Sequence, residues 1–158
     1  MTEQDDTFES STYVVDDQMG FILRVATQFH TAIFLSRMVG NLTQTQFGVL
    51  IVVYQLGTCS QSDLGRSLQL DSATINGVVD RLKTRGLIEL SEDSTDRRKQ
   101  HVTLTAEGEV LVREALPVAK EITAATVANL TAAERERLIK LLRKMVATPQ
   151  PVVSRKRR

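Results

Sequence analysis

The sequence predicts a mainly α-helical fold with one small β-hairpin, and three observations carry that prediction. Apolar residues recur at helical spacing through most of the chain, several hydroxyl residues stand three positions before an amide or carboxylate, and the stretch after Gly86 alternates apolar with polar residues. At 158 residues the chain can bury one core but is short for two domains. Its ends differ in sign, with Glu3, Asp5, Asp6 and Glu9 near the start and Arg155, Lys156, Arg157 and Arg158 at the end. Neither end has an apolar period, so residues 1–12 and 148–158 are expected to be disordered acidic and basic tails around a single folded unit, 13–147.

Met19 to Val39 reads as the first helix. Of its 21 residues 13 are apolar or Ala, and Arg24, His30 and Arg37 are its only charged or titratable side chains. Apolar coverage this wide exceeds one stripe, so burial is expected on two sides, against its own domain and against a second protomer. Thr43 with Gln46, Ser60 with Asp63, and Thr131 with Glu134 have capping-box spacing or a close variant and open further helices. The first of these carries Phe47, Val49, Leu50, Val52, Val53 and Leu56 and stops at Gly57. The second is short, with Leu64 and Leu68. Asp71 then caps a helix whose inward face is Ile75, Val78, Val79 and Leu82 and whose terminator is Gly86, where a left-handed residue is wanted. Ser60 to Leu68 and Asp71 to Arg85, joined by a tight turn, make a helix-turn-helix.

After Gly86 the period becomes that of strands. Leu87 to Leu90 and His101 to Leu104 are expected to pair, with the polar segment Ser91 to Gln100 as the hairpin loop, a wing. Thr105 starts a long helix with Val110, Leu111, Ala115, Leu116, Val118, Ala119, Ile122 and Val127, in which Pro117 predicts a kink. A last helix from Thr131 carries Leu138, Leu141, Leu142 and Met145. The fold class is therefore α+β, mainly α: a winged helix-turn-helix lobe at about 43–105, with flanking N- and C-terminal helices at about 16–39 and 105–147 that are expected to form a homodimer.

Net charge gives no support to nucleic-acid binding, since the total is +1 and seven Lys or Arg balance seven Asp or Glu between Ser60 and Gln100. Placement does. A helix entering the major groove needs short polar side chains near its amino end, and Ser72, Thr74 and Asn76 fit, with Arg81 further along. Asn76 offers a donor and an acceptor to adenine, Thr74 a methyl to thymine or a hydroxyl to phosphate, and Ser72 lies where helix amides favour an anion. Ser60, Gln61 and Ser62 are candidate phosphate contacts. Arg97, Arg98 and Lys99 crowd three cations onto the wing, where an arginine suits a narrow minor groove. The same residues also fit a bland alternative: a solvated helix face, and a charge run neutralised by Glu92, Asp93 and Asp96. Asp96 is expected to hold the wing conformation, with Arg98 reaching DNA, and Asp80 to pair with an arginine of the wing or helix.

Three motifs in order carry a resemblance. Asp96, Arg98, Leu104 and Thr105 have the spacing D-x-R-x-x-x-x-x-L-T, followed by Gly108; Val79-Asp80-Arg81-Leu82 leads to Arg85-Gly86-Leu87-Ile88; and Leu42-Thr43 precedes Gln46-Phe47. Over roughly residues 16–147 the chain resembles the MarR family of bacterial regulators. The resemblance implies a dimeric, ligand-responsive transcription factor, double-stranded DNA with an inverted repeat as partner, and an effector cleft between the dimer helices and the DNA-binding lobe. One departure is Gly77, which stands where relatives often carry a cation, and it shifts expected readout toward DNA shape and the wing. The family's peroxide sensors carry a thiol near the start of the first long helix, and this chain has none there.

The effector is expected to be an anionic aromatic compound, a phenolic or benzoic acid or its CoA thioester. Phe34 and Phe47, with Phe29, offer apolar walls, and Arg24, His30 and Arg37 offer cations for a carboxylate or phosphates. A winged helix used for protein interaction or DNA architecture without an effector is the competing function. An enzyme is not expected: with two histidines, one cysteine and no phosphate loop or nucleophile elbow, nothing assembles into a catalytic constellation, and no cofactor or metal is implied. Cys59, the only cysteine, excludes an internal disulfide and is expected to be inert. The polar, acidic start and the lack of a window near 20 apolar residues point to a cytoplasmic protein without a membrane partner.

Overall fold

The computed structural model describes residues 14–92 and 100–147. Helix α1 spans Met19–Arg37, α2 Gln44–Leu56, α3 Gln61–Leu68 and α4 Ser72–Thr84. Two strands follow, β2 at Ile88–Glu92 and β3 at Gln100–Leu104, then α5 at Ala106–Thr126 and α6 at Ala132–Val146. A two-residue strand before α3, β1 at Cys59–Ser60, completes an antiparallel sheet of order β1-β3-β2.

The capping residues act as their spacing predicts. Thr43, Ser60 and Thr131 each accept the amide of the residue three positions on, while Gln46, Asp63 and Glu134 reach back to the cap amide. Asp71 accepts the Thr74 amide at 2.9 Å and Thr105 that of Gly108 at 3.0 Å. Gly57 and Gly86 end their helices at φ 74° and 69°.

Val49, Leu50, Val53, Leu64, Ile75, Val78, Val79 and Leu82 are buried from three helices, with Ile88 and Val102 from the hairpin and Val112, Ala115 and Ile122 from α5. Val112, fully buried, belongs to the inner face of α5 although Val110, beside it in sequence, is exposed. Val110 is the residue the expected face included. The strands also differ from expectation, since β2 starts at Ile88 rather than Leu87 and the pairing extends to Glu92 and Gln100. Helix α5 continues through Pro117, where a kink is expected, as one element.

Helix α1 ends at Arg37, two residues short of its expected end. Met38 turns extended and a 3-10 turn follows at Val39–Asn41, with Gly40 at φ 65°. The dihedral favours the glycine, and a Cβ there would lie 2.6 Å from Cδ1 of Leu111 on α5, the movable end of a side chain that could shift to relieve it. The end of α4 is tied to this turn, because the Arg85 guanidinium donates to the Gly40 carbonyl at 2.5 Å.

Two helices leave apolar surface uncovered. Helix α6 has no buried residue, and Leu138, Ile139, Leu141, Leu142, Met145 and Val146 are exposed along it. Helix α1 buries Phe34 and exposes Met19, Ile22, Val25, Phe29 and Leu35. Among the described residues no helix is long and apolar enough to cross a membrane.

Candidate nucleic-acid interface

The site is built on α3 and α4. Their turn is closed by Gln69 in the left-handed conformation at φ 53° and by the Leu70 amide donating to the Gly65 carbonyl at 3.0 Å. Gln61, Ser62, Gly65, Arg66, Gln69, Leu70 and Ser72 line a shallow groove of about 350 Å³ along it. Because Ile75, Val78, Val79 and Leu82 face the core, α4 turns Ser72, Thr74, Asn76, Asp80 and Arg81 to solvent. Gly77 is half-buried, and both terminal guanidinium nitrogens of Arg81 lie 3.7 Å from where its Cβ would be.

Several hydroxyls near the groove are already engaged. The Ser60 hydroxyl donates to Asp63 at 2.7 Å and accepts the Asp63 amide, so its proton is not offered to phosphate. Gln61 and exposed Ser62 remain the open donors of that helix start. Thr74 donates its hydroxyl to Asp71 at 2.8 Å, which leaves its methyl and an acceptor lone pair facing outward. The Thr74 amide and hydroxyl also hold the Asp71 carboxyl below the usual range. Asp80 makes no ion pair among the described residues; its carbonyl accepts the Thr84 hydroxyl at 2.9 Å. Asp96, Arg97, Arg98 and Lys99 lie outside the described residues, as does the pairing expected between the wing and Asp80.

The Ser60 hydroxyl, the Ser60 amide and the Arg66 guanidinium together hold the Asp63 carboxyl at about 2, against an ordinary 3.8. A carboxyl depressed in the folded state contributes stability above its unfolded value and loses it as pH falls through the folded one. The cap of α3 is therefore expected to persist through pH 3.8 and to weaken only toward pH 2. A carboxyl-carbon NMR titration checks this: the Asp63 midpoint should fall near 2 and rise toward 3.8 in Ser60→Ala. A midpoint near 3.8 without the substitution would contradict it.

Cys59 is buried beside this cap, with its backbone paired to Val102. Burial pushes its thiol up, and the Asp63 charge adds to that. Both causes disfavour the thiolate, so the thiol is poorly suited to peroxide chemistry.

The residues expected to meet a ligand are only partly brought together. Phe34 is buried, its ring 6.2 Å from His30 and 6.0 Å from Phe47, so these three cluster where α1 meets α2. Thr126 of α5 donates its hydroxyl to the Ile122 carbonyl and thus accepts from Nδ1 of His30 at 2.9 Å, which leaves Nε2 as the free ring atom. Arg37, one turn beyond Phe34, is exposed. Arg24 is not part of the cluster; it donates to Gln28 at 3.1 Å and stacks 4.9 Å over the Phe21 ring.

The comparisons agree with this arrangement of helices and hairpin. The MarR family model matches residues 42–99. Over 139 residues, 87% of this chain and 88% of the relative, the sequence is 41% identical to the HTH-type transcriptional repressor NicR of Pseudomonas putida. It is 43% identical to Bordetella bronchiseptica BpsR, whose structure concerns regulation of DNA binding by 6-hydroxynicotinic acid, with TM-score 0.83 over 87% of this chain and 99% of that one. PcaV of Streptomyces coelicolor, in complex with its natural ligand, has TM-score 0.83 at 25% identity, over 89% of this chain and 99% of that one. A family match lying over the helix-turn-helix and the first strand of the hairpin, together with a regulator 41% identical along most of either sequence, leads to one conclusion: this chain belongs to the MarR family of DNA-binding transcriptional regulators.

Proposed function

We propose that the protein is a cytoplasmic repressor that binds an inverted-repeat operator as a homodimer and is released by a small aromatic carboxylic acid. The observation that carries the effector class is the 43% identity with BpsR, a protein whose DNA binding is regulated by a hydroxylated heteroaromatic acid. In this reading α1 and α6 form the dimer, residues 43–105 form the DNA-binding lobe, and α4 enters the major groove with Ser72, Thr74, Asn76, Gly77 and Arg81. Ser60 shapes the start of α3, Gln61 and Ser62 meet phosphate, and the wing cations Arg97, Arg98 and Lys99 reach the neighbouring groove.

The effector sits against Phe34 and Phe47, its carboxylate met by Arg37 and its hydroxyl donating to Nε2 of His30, the acceptor nitrogen of a ring whose Nδ1 donates to Thr126. His30 and Phe34 share α1 with the uncovered apolar face, and His30 also holds α5, so a ligand there bears on the helices that set the distance between two α4 helices. Release requires the ligand to prefer a dimer whose α4 helices miss the half-sites, and a coupling of about 1–3 kcal/mol, or about 5- to 150-fold, is typical.

Titration of 6-hydroxynicotinic acid, 4-hydroxybenzoic acid and benzoyl-CoA into a complex with operator DNA tests the effector class. One of the two free acids is expected to lower operator affinity within that range. Release by the thioester alone would move the proposal to acyl-CoA sensing, and no response to any of them would favour a winged-helix module without an aromatic effector.

A further inference from the structure

The outward side of α4 has a gap at its middle. Ile75, Val78, Val79 and Leu82 face the core, so helical spacing puts Ala73, Gly77, Asp80 and Thr84 on the opposite side, with Gly77 central. A glycine there presents no side chain to whatever approaches that side. Arg81, one turn later, fills the gap. Helical side chains lean toward the amino end, and the Arg81 guanidinium accordingly lies over Gly77, its Cζ 4.0 Å from the place a Cβ would take. The planar cation is thus carried one turn closer to Thr74 and Asn76 than its own Cα. No carboxylate among the described residues takes up its donors.

We propose that Arg81 is the base-reading cation of α4, donating to O6 and N7 of one guanine in each half-site, and that Gly77 is the specificity-determining position that gives it room. The inference rests on the DNA-binding reading above. A cation at the flank of a groove-bound helix meets phosphate; one laid across the middle of its outward side meets base edges. The two parallel N–H groups of a guanidinium match the two acceptors that guanine alone presents in the major groove. Any residue at 77 larger than alanine competes for the same space.

Selection from a randomised duplex library, followed by competition binding on the selected sites, tests the assignment. The unsubstituted protein is expected to select one guanine per half-site and to discriminate it from other bases by about 5- to 150-fold. Arg81→Ala should erase that discrimination, and Arg81→Lys should erase it too, because it keeps the charge and loses the fork. Gly77→Leu replaces a helix-weakening glycine and so should keep the fold, which thermal melting checks. It should lose the same guanine preference, with nothing further lost on adding Arg81→Ala. A loss in Arg81→Ala that is equal on all sequences and restored by lysine would overturn the proposal in favour of a phosphate contact. A folded Gly77→Leu variant that still selects the guanine would overturn the role of Gly77. If the unsubstituted protein selects no sequence, the DNA-binding reading fails with it; a selected site indifferent to Arg81 sinks this inference alone.

Discussion

Gly108→Ala is expected to destabilise the protein by about 3 kcal/mol or more, although alanine normally favours a helix over glycine by about 1 kcal/mol. The clash decides the sign. A Cβ on Gly108 would lie 2.0 Å from the Leu87 carbonyl oxygen and 3.0 Å from its carbon, and both are backbone atoms that no rotamer change can move. Relief requires the start of α5 to move off the hairpin. That strains the Thr105 amide bond to Leu87 at 3.2 Å and the Thr105 hydroxyl bond to Gly86 at 2.7 Å, which hold the wing to the lobe. Thermal unfolding should show a midpoint lower by roughly 6–12 °C, taking about 2–4 °C per kcal/mol for a chain of this size. A change below about 1 kcal/mol would mean that the close approach is not a constraint. The spacing from Thr105 to Gly108 thus has a packing reason beside its place in a family motif.

Leu142→Asp is expected to dissociate the proposed dimer while leaving each protomer folded. Leu142 is 37% exposed in the protomer and shares a stripe with Leu138, Leu141 and Met145, none of which contributes to the protomer core. Fully burying a leucine side chain is worth about 1.5–3 kcal/mol; with 37% of Leu142 still exposed, roughly a third of that remains to be gained, and a twofold interface counts it twice, so the loss is about 1–2 kcal/mol. The dissociation constant should rise by roughly 5- to 30-fold from the lost apolar burial, and by more once the cost of burying two carboxylates is added. Sedimentation or light scattering at micromolar concentration should then report the monomer mass with an unchanged helical circular-dichroism signal. An unchanged dimer would place the interface elsewhere, and loss of helical signal would show that α6 packs on its own protomer.

Local chemistry made most of the fold legible in the sequence. Capping residues, Gly57, Gly86 and the apolar spacing of α2 and α4 act within a few residues of chain, so Thr43, Ser60, Asp71 and Thr131 mark their helices at the right positions. What depends on distant partners was not legible. Cys59 and Ser60 form a strand only because Val102 and His101 lie beside them. Helix α1 stops at Arg37 and the chain turns through Gly40, packed beside Leu111, which is 71 positions further along the sequence. For the side chains proposed to meet DNA, sequence shows only residue types, whereas which donors are open depends on contacts: Ser60 and Thr74 donate their hydroxyl protons to Asp63 and Asp71. The reach of Arg81 over Gly77 follows from the absence of a side chain, which composition does not signal. Helical spacing puts His30, Phe34 and Arg37 on one face of α1, and the His30 and Phe34 rings do lie 6.2 Å apart, whereas Arg24, six residues before His30, falls on another face over Phe21.

Two copies of α4, held by the proposed twofold dimer, are expected to dock on half-sites one helical turn apart, roughly 34 Å. Binding measured by fluorescence anisotropy on the preferred inverted repeat, with and without five base pairs inserted at its centre, tests it most directly. Five base pairs rotate one half-site by about half a turn of the duplex, which is roughly 10–10.5 base pairs long. With the insertion, affinity should fall to that of a single half-site; equal affinity for the two duplexes would contradict docking by a twofold dimer.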